Sequence, residues 1–173
     1  MKIAIISDIH DNLATLKKFL NWAKKNKIEQ LIVCGDLCAP ATLIESLAPG
    51  FSGKIHLIFG NACYREIETE KVKELSNVIH YGDLGEFKID NKKIAIIHYP
   101  DKAKKLAESG KYDFVFYGHN HKPWVEKIGN TYLANPGTLA GMFYKATFAF
   151  WDTETGKLEL KILEMIYLYI QGK

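Results

Sequence analysis

Five short apolar runs in this chain of 173 residues each stop on a side chain able to ligate a metal ion. KIAIIS runs into Asp8 and His10, LIVCG into Asp36, HLIFG into Asn61, KIAII into His98, and FVFYG into His119 and His121. Brief, β-branched-rich apolar runs predict strands buried on both faces of a sheet. In a mainly parallel sheet such strands end on one edge, where α/β proteins place their sites. Residues i and i+2 of an extended segment project to one side, so Asp8 with His10, and His119 with His121, are each expected to close as a pincer on one spot. Glycines directly before Asp36, Asn61 and His119 are expected to let the chain turn sharply off the strand. Taken singly these elements are weak, since a D-x-H or a G-D is common and a lone histidine after a buried strand is often a satisfied core residue. Together they point to a metal centre, because so many polar groups converging without a cation leaves donors and acceptors mismatched.

The rest of the chain supports one domain over residues 1–173, with no repeat, low-complexity stretch or linker. Leu13, Leu16, Leu20 and Ala23 fall at helical spacing over residues 13–25, with Asn12 as cap. Further helices are expected over residues 40–48, starting at Pro40, and over residues 101–109, stopping at Gly110. Asp90-Asn91, Gly129-Asn130 and the stretch Asp152 to Gly156 read as turns between strands. The first half is therefore β-α-β and mainly parallel, and the second half mainly antiparallel. IYLYIQGK at the end is ambiguous between strand and helix.

A formal charge of +3 tolerates an anionic substrate but is no nucleic-acid footprint, and the lysines of LKKFLNWAKKNK and DKAKKLAESGK read as solvated helix faces. Cys34, Cys38 and Cys63 form an odd set without framework spacing, which predicts a reducing compartment. The apolar start, Ile3 to Ile6, is too short for a signal peptide, and no run spans a bilayer, so the expected location is the cytoplasm, with no membrane partner.

In order, DIH at 8–10, GD at 35–36, GN at 60–61, His98 after a strand and GHNH at 118–121 resemble the calcineurin-like metallophosphoesterase superfamily, and within it the small single-domain prokaryotic phosphodiesterases. NPG at 135–137 matches a turn frequent in small members, and the resemblance runs to about residue 141. It implies an α/β (α+β) fold, a four-layer αββα sandwich of two mixed sheets flanked by helices. It also implies a dinuclear centre: Asp8, His10, Asp36 and His121 around one metal, Asp36, Asn61, His98 and His119 around the other, with Asp36 bridging. Asp36, Asn61 and His98 are the expected catalytic residues. Mixed nitrogen and oxygen donors suit manganese or nickel, with iron or zinc as alternatives, over magnesium and calcium. The implied chemistry is in-line attack by a metal-bridging hydroxide on a small phosphodiester.

Several positions depart from the family pattern. GNACYRE carries Ala62 where many members have a histidine that assists the leaving oxygen, and Cys63 where an acid often follows. Cys63 is either a thiolate ligand or a packed side chain, and Cys34 and Cys38 are read as packing and loop filling. Asp11 either accepts from His10 or faces water, the latter favoured. Tyr99, in place of a glycine, is expected to narrow the site. Arg65, the sole arginine, either clamps a phosphate or lies on a surface helix. Trp124, Phe143 and Tyr144 are read as sheet or core packing, with stacking on a base or aryl ester as the alternative. Two other functions remain open: a non-catalytic scaffold of the same fold, and a nuclease or cyclic-nucleotide phosphodiesterase. Nucleic acid as partner and homo-oligomerisation are left open.

Overall fold

The structure, a computed structural model, describes residues 1–166. Eleven strands form two sheets. In chain order they are β1 (Lys2–Ile6), β2 (Gln30–Val33), β3 (Lys54–Leu57), β4 (Val78–His80), β5 (Leu84–Ile89), β6 (Lys92–Ile97), β7 (Phe114–Phe116), β8 (Trp124–Ile128), β9 (Thr131–Asn135), β10 (Thr147–Asp152) and β11 (Lys157–Ile162). The helices are α1 (Leu13–Lys25), α2 (Ala48–Gly50), α3 (Arg65–Val72) and α4 (Pro100–Glu108), with a π-helical segment, Thr42–Leu47, leading into α2. The first sheet is ordered β11-β10-β1-β2-β3-β4 and the second β5-β6-β7-β9-β8.

Alternation within each strand builds the layers. On β1, Ala4 and Ile6 pack with Leu16, Phe19, Trp22 and Ala23 of α1, while Ile3 and Ile5 join Ile94, Ile96, Phe114 and Phe116 of the second sheet. On the far side, Ala95, Val115 and Leu133 cover Ala103 and Ala107 of α4. Three apolar interfaces therefore separate four layers, helix on sheet on sheet on helix. This is the αββα sandwich that the resemblance implies.

Helix α1 spans the expected residues, and Asn12 Oδ1 accepts from the Thr15 N–H at 3.2 Å as its cap. Its buried face is Leu16, Phe19, Trp22 and Ala23, whereas Leu13 is exposed. The helix expected over 40–48 is present and starts at Pro40, but Thr42–Leu47 within it is wound as a π-helix, with the Ala48 N–H reaching back to the Leu43 carbonyl. Pro49 has no N–H to continue the ladder, and the segment ends at Gly50. Helix α3 is the surface helix that one reading of Arg65 anticipated, although its apolar periodicity is weak, and β4, of only three residues, was not anticipated.

The expected turns form at Asp90-Asn91, both at positive φ, and at Gly129-Asn130. The second half is mainly antiparallel, as expected, in the pairs β5-β6, β8-β9, β10-β11 and β1-β10. The exception is β6, β7 and β9, which run parallel because α4 crosses from β6 to β7 and the whole of β8 intervenes before β9. Strand β10 returns to pair with β1 in the first sheet. The lysines of α1 and α4 are exposed, as expected. Among the described residues no helix is long and apolar enough to cross a membrane. Of IYLYIQGK, all but Ile166 lies outside the described residues.

A buried histidine outside the candidate ligand set carries a pH prediction. His56 on β3 lies between the Tyr81 hydroxyl and the Gln30 side-chain carbonyl, each 2.8 Å away, and stacks on Phe87. Burial pushes its pKa down from 6.5 to about 4, with Lys54 adding to the effect. The unfolded chain then takes up a proton near pH 6.5 and the folded one only near pH 4. Stability from this group is full above the higher value and declines through that window, by roughly 3 kcal/mol at most. Melting curves from pH 7 to pH 4 should show this decline, and His56→Gln should flatten it.

Candidate metal centre

The candidate ligating side chains come from both sheets rather than from one edge. Strands β1, β2 and β3 deliver Asp8, His10, Asp36 and Asn61, and β6 and β7 of the other sheet deliver His98, His119 and His121. The carboxyl ends of the two sheets thus meet across a short gap. Loop hydrogen bonds hold them in place: Asp8 N–H and His10 N–H donate to the carbonyls of Gly35 and Asp36, and Gly118 N–H to that of His98.

The pincers are not extended. Asp8, His10, Asp36, His119 and His121 all have left-handed backbone, with φ of 53°, 42°, 54°, 73° and 61°. Side chains at such positions leave the strand direction abruptly, and each costs on the order of 1 kcal/mol relative to ordinary backbone. His119 and His121 consequently diverge. His121 Nε2 faces Asp8 Oδ1 at 3.3 Å and His10 Nε2 at 3.1 Å, while His119 Nδ1 faces Asn61 Oδ1 at 2.7 Å. The glycines also serve differently than expected: at Gly60 and Gly118 the need is close approach. A Cβ on Gly60 would collide with the Asp36 carboxylate, and one on Gly118 with Ser7 Oγ and Asp8 Oδ2.

All seven groups surround one depression whose floor is buried. Asp8, Asp36, His98 and His121 are buried, His10 is partly buried, and Asn61 and His119 form an open rim. Asp36 Oδ2 lies 3.4 Å from His98 Nε2 and 3.8 Å from His10 Nε2, and Asn61 Oδ1 is 3.0 Å from His98 Nε2. Two overlapping sets can each hold a cation: Asp8, His10 and His121, and Asp8, Asp36 and His98.

The chemistry of the donors suits that use. Asp8 Oδ1 is fully buried without a hydrogen-bond partner. His98 Nδ1 donates to the Cys34 carbonyl at 2.7 Å, which fixes the tautomer and turns the Nε2 lone pair toward Asp36 and Asn61. His121 Nδ1 donates to the Met142 carbonyl at 3.4 Å in the same sense, so its Nε2 lone pair faces His10. Lone pairs and an unpartnered carboxylate oxygen pointed at each other repel; a cation between them makes the arrangement favourable. Without one, protons take part of that role. Asp8 raises the pKa of His10 against the cost of burial. For His98, burial lowers the pKa, and the neighbouring Asp36 outweighs it, so the net direction is up. Burial would raise Asp36, but His98 and the Ala62 N–H hold it below the usual carboxylate range.

A match to the calcineurin-like phosphoesterase superfamily domain covers residues 1–156. The chain belongs to this superfamily. Membership in this phosphoesterase superfamily makes it a phosphate-ester hydrolase, with divalent metal binding as part of the chemistry. Phosphodiesterase MJ0936 of Methanocaldococcus jannaschii is 29% identical over 171 residues, covering 95% of this chain and all of the relative. A solved structure described as that of a novel archaeal phosphodiesterase superposes with a TM-score of 0.85 at 28% identity, over 94% of this chain and 99% of the other. Yfce, a phosphoesterase from E. coli, shares the fold at a TM-score of 0.68 and 19% identity, over 94% and 100% of the two chains.

The departures from the superfamily pattern now have structural accounts. Asp11 neither accepts from His10 nor simply faces water: its carboxylate takes the Ala39 N–H and the Thr42 hydroxyl, tying down the loop after Asp36. Cys38 does more than fill that loop, since its Sγ lies 3.3 Å from His10 Nδ1. Cys63 Sγ donates to the Gly60 carbonyl and belongs to neither cation set. Cys34 is packed between the sheets. Arg65 opens α3 on the surface, with its guanidinium bound to Asp83 at 2.7 Å and lying over Phe59. Tyr99 stands edge-on to His119 and His98, with ring centroids 5.0 and 5.3 Å away, and narrows that side.

The packing reading fails for Trp124, Phe143 and Tyr144, which are all exposed. Trp124 begins the edge strand β8, and the other two lie on the loop between β9 and β10, exposed among the described residues. Asn135, flagged only through its turn, was missed as a positioning residue. Its buried amide donates to the Gly118 carbonyl and to Asn120 Oδ1, while its own oxygen takes the Gly137 N–H. The following residues bind the other sheet, with Thr138 Oγ1 and Ala140 N–H donating to the Asp8 carbonyl. An asparagine before Pro-Gly was the available signal.

Proposed function

We propose that this phosphoesterase hydrolyses small phosphodiesters in preference to monoesters at two divalent transition-metal ions. Asp8, His10, Asp36 and His121 would hold one, and Asp36, Asn61, His98 and His119 the other, with manganese or nickel as the best-suited occupants. One observation carries the reading: buried Asp8 Oδ1 has no hydrogen-bond partner and lies 3.3 Å from an imidazole nitrogen. When bound, such ions supply Lewis-acid polarisation of phosphoryl oxygens and a water of lowered pKa.

The chain's own groups set the conditions for that chemistry. Asp8 and Asp36 neutralise two of the four positive charges, so the loaded centre still attracts a phosphoryl anion. The Ala62 N–H, 2.7 Å from Asp36 Oδ1, fixes the shared carboxylate. The Cys34 carbonyl fixes His98. Preference for diesters has its support in the full-length likeness to a protein named a phosphodiesterase. The three free cysteines favour work in a reducing compartment such as the cytoplasm.

Position 62 offers no titratable side chain, and burial raises the pKa of Cys63, whose thiol is turned to Gly60. Leaving groups must therefore depart without a strong acid at this position. Purified protein loaded with manganese, nickel, magnesium or zinc is expected to release nitrophenolate from bis(p-nitrophenyl) phosphate and to cleave dialkyl phosphates roughly 10²–10⁴-fold more slowly. Equal rates on aryl and alkyl esters would remove the leaving-group account. No metal-dependent turnover of any aryl phosphate would favour the scaffold. Preferred cleavage of single-stranded DNA, RNA or cyclic AMP would favour the nuclease or cyclic-nucleotide reading.

A further inference from the structure

The depression carries an aromatic ring for which neither folding nor the metal set accounts. Phe143 is 87% exposed, the highest value among the large exposed apolar side chains of the described residues. Its backbone sits at φ 64°, a conformation that glycine or asparagine fills readily and a bulky aromatic rarely does. An apolar ring in a strained, solvent-facing position is retained at a cost, and such positions cluster at ligand sites.

Its location is defined. The Met142 carbonyl next to it receives His121 Nδ1–H, so the tip of the loop is tied to a ligand of the centre. The Phe143 ring lies 5.6 Å from the His121 ring at an interplanar angle of 42°, a tilted contact that leaves a face of the phenyl ring free. On the opposite side the other aromatic, Tyr99, is already engaged edge-on by His98 and His119 and covered by the Lys102 ammonium at 5.3 Å. One aromatic face beside the cation-holding groups is thus unused, and it lies on the Asp8, His10 and His121 side.

We propose that Phe143 is a specificity-determining residue whose ring stacks on a planar substituent, a nucleobase or an aryl ring, of the phosphate ester bound at this centre. The inference rests on the phosphoesterase reading above and adds the substrate class. Stacking is sequence-tolerant, since every base and every aryl ester offers a π-face. It selects planar esters over alkyl esters of equal charge.

The test is a binding measurement. Protein loaded with manganese is titrated calorimetrically with methyl phosphate, phenyl phosphate and adenosine monophosphate, three monoesters that share one phosphoryl group. The wild type is expected to bind the two planar esters about tenfold or more tighter than methyl phosphate. Phe143→Ala should bring that ratio close to one, and Phe143→Tyr should retain it. A ratio near one in the wild type, or one unaltered by Phe143→Ala, overturns the stacking role while methyl phosphate binding keeps the centre itself intact. If the wild type binds none of the three, the stacking role falls, while the phosphoesterase reading is decided separately by turnover of bis(p-nitrophenyl) phosphate.

Discussion

Asp36→Asn is expected to lower kcat/KM on bis(p-nitrophenyl) phosphate by on the order of 10³-fold while leaving the metal-free fold intact. The amide keeps the carboxylate's shape, and its oxygen can still accept the Ala62 N–H that now meets Asp36 Oδ1. What it loses is the negative charge between two cations, and with it the compensation that lets both sit close together. Stability of the metal-free protein should fall modestly, because burial opposes the ionised form of Asp36 but His98 and the Ala62 N–H outweigh it, and the amide cannot supply that charge. His98→Ala should abolish turnover by a different route. It removes the ring that donates to the Cys34 carbonyl and leaves that buried acceptor with only Ser7 Oγ, at 3.2 Å. A loss of about 1–2 kcal/mol in stability should accompany the loss of activity. Turnover, metal content and melting of the two variants check both statements. Activity within tenfold of wild type in Asp36→Asn would show that this carboxylate is not shared between cations.

Metal loading is expected to raise the melting temperature strongly. A ligand present at a hundred times its dissociation constant stabilises the folded state by about 2.7 kcal/mol. For a chain of 173 residues that corresponds to a rise of roughly 5–10 °C. The source of the gain is visible in the floor of the centre, where an unpartnered Asp8 oxygen and inward-facing imidazole nitrogens repel until a cation separates them. The shift should shrink as the pH falls into the histidine range, because His10 and His98 both have raised pKa values and bind protons in competition. Thermal melts with and without manganese or nickel, at pH 8 and pH 6, provide the measurement. An unchanged melting temperature at millimolar metal would remove the metal centre and the function built on it.

Much of the layered fold was legible in the chain because local chemistry repeats it. Ile3 to Ile6 is apolar on both faces, and the structure buries both, one against α1 and one against the second sheet. Residues 13–25 show helical spacing and a cap, and they are the helix. The same reasoning failed where contacts between distant segments outweighed local pattern. Phe143 and Tyr144 are aromatic and so read as sheet or core packing, yet among the described residues both are exposed. Asp11 was read as facing water, with its neighbour His10 as the alternative, while its partners are Ala39 and Thr42, about thirty residues away.

By itself the sequence determined which side chains end the strands, and therefore which donor types are available: two carboxylates, one amide and four imidazoles. Residue type and strand boundaries are local properties, so one chain suffices to read them. Tertiary structure alone decided how those donors are divided. Left-handed backbone at His119 and His121 sends these neighbours apart while Asp8 and His10, also left-handed, stay together, and two sheets rather than one bring the strand ends together. Such backbone is unfavourable in isolation and persists because hydrogen bonds from distant loops, such as Ala140 N–H to the Asp8 carbonyl, hold it in place.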